Sequence, residues 1–163
     1  MIGSASSPGS GPDAAAFVAL RRPSGPADEQ FASVASSVTD VGLDLAAVRL
    51  VLATPDGVAG LIPGNGVLCF VAVTTKMGAI SQRVATGWAG THDGFGFRAK
   101  TGGYVLLQGI VPDDTIGVQF TDSNGRATSV ALSADNGYSE VLDAVPVKVT
   151  YLDAEGQARE HDL

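Results

Sequence analysis

A single cysteine, Cys69, leaves no partner for an intrachain disulfide and too few thiols for a multi-cysteine zinc or iron–sulfur centre. Histidine is nearly as scarce: His92 and His161 are the whole supply, too few for a His-rich metal site. Basic residues are outnumbered, with 10 Lys+Arg against 17 Asp+Glu and a formal charge of −7. Nucleic acid and anionic membrane surfaces both demand a basic face, so neither is expected as a partner. Long apolar runs are missing as well. VLCFVAV, Val67 to Val73, falls far short of the ~20 residues that cross a bilayer, and the chain is expected to be soluble. The comparable run AAAFVAL, Ala14 to Leu20, is followed by Arg21 and Arg22 rather than preceded by basic residues, the wrong order for a secretory signal. No cofactor and no metal are expected.

What is abundant is turn chemistry. Gly 21 and Pro 8 in 163 residues favour many short strands over long helices, and the length suits one domain. Residues Met1 to Pro12 are almost all small, Gly, Ser and Pro, and RRPSGPAD, Arg21 to Asp28, holds two prolines and a glycine. Residues 1–28 are therefore expected to be a flexible tail and connector, and residues 29–163 a single domain. A short helix is predicted from Ala27 to Val34, with Asp28 as its cap and Phe31, Val34, Ala35 and Val38 on one apolar face. A second is predicted over Asp40 to Ala47.

From Val48 onward, apolar segments alternate with turns. VRLVLAT, VAGLIP and VLCFVAV, separated by PDG and GNG, predict an antiparallel meander. The unbroken apolar run at Val67 to Val73 predicts a strand covered on both faces and central in its sheet. Thr74 to Gly103 carries seven glycines and reads as interrupted strands or a long loop. A strand at Tyr104 to Asp113 follows, then a hairpin with Ile116, Val118 and Phe120 inward, turned at SNG, and a last hairpin, turned by DAEG, in which VPVKVTYL alternates Val145, Val147, Val149 and Tyr151 inward with Pro146, Lys148 and Thr150. About nine strands predict an all-β, two-sheet antiparallel sandwich, Ig-like in its C-terminal hairpins, behind a short helical or extended N-terminal arm.

The order of certain residues resembles an uncharacterised actinobacterial group of β-rich extracytoplasmic domains. The resemblance rests on Phe17, Leu20, Arg21, Arg22, Pro23, Ala27 and Asp28 in an FxxLRRPxxxAD segment. It continues through LIPGNGVLCFV at Leu61 to Val71, VPD at Val111 to Asp113, and Asp135 to Tyr138. It implies a β-rich fold and an envelope-associated setting, and it implies no reaction. Members often carry a second cysteine soon after the first; TKMGAISQ, Thr75 to Gln82, has none, so no disulfide carries over.

Several residues invite a chemical reading. His92 beside Asp93 in a glycine-rich stretch has the composition of a base or ligand pair, although neighbours on an extended chain point apart. Cys69 is a nucleophile only if exposed, and its flanks, Leu68 and Phe70, argue for the core. TDSNG and LDAEG offer Asp122, Asn124, Asp153 and Glu155 as oxygen ligands, yet lack the spacing of a calcium loop, and Asn, Asp and Gly are what hairpin turns require. Asp113 and Asp114 read as a turn. Trp88, Phe95, Phe97 and Tyr104 form either core or an exposed aromatic platform. The expected function is a non-catalytic protein-binding or structural module. A carbohydrate-binding module is the second reading and a small hydrolase at His92 and Asp93 the third. The candidate ligand-binding residues are Trp88, His92, Asp93, Phe95 and Tyr104.

Overall fold

A computed structural model describes residues 16–37, 42–75, 78–85 and 95–163. The chain is all-β with antiparallel pairing throughout, behind a short helical N-terminal segment, as the alternating pattern predicts. Its strands form three hydrogen-bonded sheets rather than two. The first is a meander of β1 (Arg49–Thr54), β2 (Gly57–Pro63), β3 (Val67–Thr74) and β4 (Gly78–Ala85). The middle sheet has the order β5 (Phe95–Thr101), β6 (Tyr104–Ile110), β9 (Gly137–Leu142). The last has the order β11 (Ala158–Asp162), β10 (Pro146–Asp153), β7 (Thr115–Asp122), β8 (Ala127–Val130).

The middle sheet is shared by two cores. Val105 and Leu107 of β6 and Tyr138 of β9 meet Val118, Phe120, Val130, Val149 and Tyr151 of the last sheet, which makes a two-layer sandwich. Ile110, at the end of β6, joins Val51, Ala59, Leu61, Leu68, Phe70 and Ala72 of the first sheet. The first sheet closes on the middle one at both edges, β1 against β9 and β4 against β5. Gly137 permits the β1–β9 approach, since a Cβ there would press on the Val51 carbonyl at 3.2 Å.

β3 has the predicted two-sided burial. Leu68, Phe70 and Ala72 face one core, and Cys69 and Val71 face another built with Phe31 and Ala35. Those two residues belong to α2 (Pro26–Ala35), and Gly60 lets the helix settle, because a Cβ there would collide with the Phe31 ring and the Arg49 carbonyl. Gly25 is the N-cap, and the Asp28 carboxylate accepts its N–H at 2.8 Å from the third helical position. Asp28, Phe31 and Ala35 form the buried stripe, which leaves Val34, predicted inward, 42% exposed on the flank; Val38 lies outside the described residues. The second helix shrinks to a 3-10 turn, Leu45–Ala47, capped by the Asp44 side chain.

The connector assignment for residues 1–28 is overturned from residue 16 onward. Phe17, Ala19 and Leu20, the last two on α1 (Val18–Arg21), are buried in the first core, where they pack with Leu61, Leu68, Phe70 and Ile110. Residues 1–15 lie outside the described residues. Two inward expectations fail at bulges. Between Gly117↔Leu152 and Thr115↔Asp153 the register slips, so Ile116 turns out to solvent and Thr115 is buried instead. A second slip between Pro146 and Lys148 buries Pro146 and leaves Val145 and Val147 exposed.

Candidate functional site

The structure brings together three of the segments on which the family resemblance rests. Asp113, after β6, accepts the Val18 N–H at 2.8 Å and the Asn136 side-chain amide at 3.1 Å on one oxygen, and Arg21 at 2.5 Å on the other. Arg22 grips the Asp28 carboxylate with two nitrogens, at 2.6 and 2.9 Å, reaches Asp135 at 3.3 Å, and donates to the Leu50 carbonyl at 2.7 Å. Asp28 accepts the Leu50 N–H at 2.8 Å. The pair thus satisfies both main-chain groups of Leu50 on the edge of β1 away from β2, as a neighbouring strand would. Burial pushes the Asp28 carboxyl up, but Arg22 and the N–H groups of Gly25 and Leu50 outweigh it and hold the group down at about 2. Arg49, fully buried, donates to the Arg22 carbonyl and fixes the chain between α1 and α2. This clamp is structural: its carboxylates are occupied by the groups that hold the arm in place.

The remaining sequence candidates are scattered. Trp88, His92 and Asp93 lie outside the described residues. Phe95 begins β5, where its backbone pairs with Ile110, and Tyr104 begins β6, half-buried opposite Thr101. Cys69 is a buried thiol, 1% exposed beneath α2. His161 is exposed on β11, its ring 5.9 Å from that of Tyr151. Asp122 and Asp153 each cap a hairpin. Asp122 accepts the N–H groups of Asn124 and Arg126, Asp153 those of Glu155 and Gln157, and Gly125 and Gly156 take the positive φ of 79° and 82° that each turn needs. The calcium-like composition is turn geometry. Among the described residues, no group of three or more His, Cys, Asp or Glu side chains is placed to hold a metal.

Sequence reasoning did not single out a concave feature that the described residues form. A cleft of about 240 Å³ opens between the β7–β8 hairpin and β9. Phe120, Asp122, Arg126 and Thr128 line one wall, and Glu140, Val141, Leu142, Asp143 and Ala144 the other. Val141 borders it and is 50% exposed, its register with Leu106 turning the side chain to the face of β9 opposite to Glu140 and Leu142; Val145 and Val147 are exposed just beyond it in the chain. Glu140 and Asp143 have no ion-pair partner among the described residues. Nothing local in sequence marks this site, because it exists only where β9, which the sequence reading missed, crosses to the middle sheet. No family model, curated protein or solved structure matches the chain.

Proposed function

We propose that the chain is a non-catalytic module that binds another protein, in the envelope-associated setting that its sequence resemblance implies. The observation that carries this reading is the cleft between the β7–β8 hairpin and β9, in which Phe120 and Leu142 lie among polar walls. A two-core scaffold with a mostly polar concavity around a few apolar side chains, at the seam of two sheets, suits recognition, where an apolar anchor is desolvated within a polar rim. Five of the chemistry-bearing side chains support the same reading. Asp28, Asp113, Asp122 and Asp153 are committed to backbone or arginine partners, and the Cys69 thiol is sealed beneath α2.

A photo-crosslinking amino acid at position 141, with the same label at Glu160 on the opposite edge of the last sheet as control, tests the reading in extract of the source cells. The expected result is one discrete protein adduct from position 141 that competes with unlabelled protein and disappears in Val145→Asp. Absence of such an adduct, together with a positive response on a glycan array, would overturn it in favour of a carbohydrate-binding module.

A further inference from the structure

We propose that the partner enters this cleft as an extended segment, adding as a fifth strand to the free edge of β8 and directing a lysine or arginine toward Glu140 and Asp143. The proposal rests on the protein-binding reading above and names the chemistry of the partner.

The main-chain geometry comes first. Among the described residues, β8 ends its sheet, paired only with β7. The Asp122 N–H donates to the Arg126 carbonyl at 3.0 Å, which makes 122 and 126 a hydrogen-bonded pair. Hydrogen-bonded pairs recur every second residue, and the register runs unbroken through Thr121↔Ala127, Phe120↔Thr128, Gln119↔Ser129 and Val118↔Val130. Thr128 and Val130 therefore bond to β7, while Ala127 and Ser129 turn their N–H and C=O groups outward. That edge is also undefended. β11, the opposite edge, reads AREHD, the charged composition that deters strand addition, whereas β8 reads ATSV, without charge or proline.

Side-chain direction supplies the specificity. Thr128 lies directly across from Phe120, and both line the cleft. A strand beside β8 would therefore present every second side chain to the same space. There it meets Asp122, Glu140 and Asp143 against the one guanidinium of Arg126, a local balance of two excess negative charges in a chain of formal charge −7. The pattern that fits places basic residues at alternate positions, on the face that meets Glu140 and Asp143. This is strand addition, in which the backbone supplies affinity and alternate side chains supply choice.

The test uses the full chain and three labelled octapeptides: Thr-Val-Lys-Val-Thr-Val-Lys-Thr, the same peptide with glutamate for lysine, and the lysine peptide with a central proline. The lysine peptide is expected to bind, to protect the amide hydrogens of Ala127 and Ser129 from exchange, and to bind about tenfold more weakly to E140Q/D143N. Glu140→Lys is expected to reverse the preference toward the glutamate peptide. Ser129→Pro, which removes an outward N–H and no ladder bond, is expected to abolish binding; should it unfold, the Glu140→Lys reversal still decides. Equal binding of the lysine and glutamate peptides, binding that leaves Ala127 and Ser129 unprotected, or no binding of the lysine peptide would each overturn the proposal. A self-dimer that consumes the β8 edge would do the same. An adduct at position 141 with no protection at Ala127 and Ser129 would leave the protein-binding reading standing and remove only strand addition.

Discussion

Two opposing effects meet on the Asp28 carboxylate. Burial disfavours its charge, yet the bidentate contact with Arg22 and the N–H groups of Gly25 and Leu50 hold its pKa at about 2, below the ordinary 3.8. A carboxyl depressed on folding adds stability that is complete above its unfolded value and lost as pH falls through its folded one, here between about pH 4 and pH 2. The difference corresponds to roughly 2 kcal/mol. Asp28→Asn leaves the more distant Asp135 as the one carboxylate paired with Arg22 among the described residues and is expected to cost roughly 2 to 3 kcal/mol at neutral pH. Urea unfolding at pH 5 and at pH 2.5 checks both statements: the wild type should lose more stability between those values than Asp28→Asn does. Parallel losses would mean that other carboxylates govern acid unfolding.

Elements are stabilised by such residues in two distinct ways. The β7–β8 and β10–β11 hairpins use one device, an aspartate whose carboxylate accepts two N–H groups ahead of a glycine at positive φ. Asp122→Ala and Asp153→Ala should each cost about 1 to 2 kcal/mol, as lost caps do, and millimolar calcium should leave the melting temperature of the wild type unchanged. A calcium-dependent rise would restore the ion-binding reading of these turns. The N-terminal arm is held by packing instead. Phe17→Ala should cost about 3 to 5 kcal/mol, a large share of the stability of a domain this size, and removal of residues 1–28 should lower the melting temperature by many degrees or prevent folding. A truncated chain that melts with the full one would return residues 16–28 to the status of a linker. The hairpins were legible in the sequence because turn chemistry and period-two alternation are local. The arm was misread because Pro23, Gly25 and Pro26 describe only its backbone, while Asp113 and Asp135, the residues that dock it, lie about 90 and 113 positions away. Ile116 and Val147 were misplaced for a related reason: a bulge is set by the partner strand, and alternation alone does not show it.

Across the whole molecule, the middle sheet decides how the parts depend on one another. β6 is buried on both sides, with Val105 and Leu107 in the sandwich core and Ile110 in the core that the arm completes. β9, which carries polar Ser139 and Glu140 and so escaped the sequence reading, connects the clamp at Asp135 and Asn136 to the wall of the cleft at Glu140 to Ala144. The cleft therefore depends on contacts made by the N-terminal arm, through one strand. Neither core can form fully without β6, so the two should unfold as one cooperative unit. Native-state hydrogen exchange tests this directly. Amides of β3 and β6 are expected to exchange only through global unfolding, with the same free energy and the same denaturant dependence, and Phe17→Ala should lower both by equal amounts although Phe17 belongs to the first core. If β7 and β10 kept their protection while β1 to β3 lost theirs in that variant, the two cores would be independent folding units. The arm would then have no means of supporting the cleft.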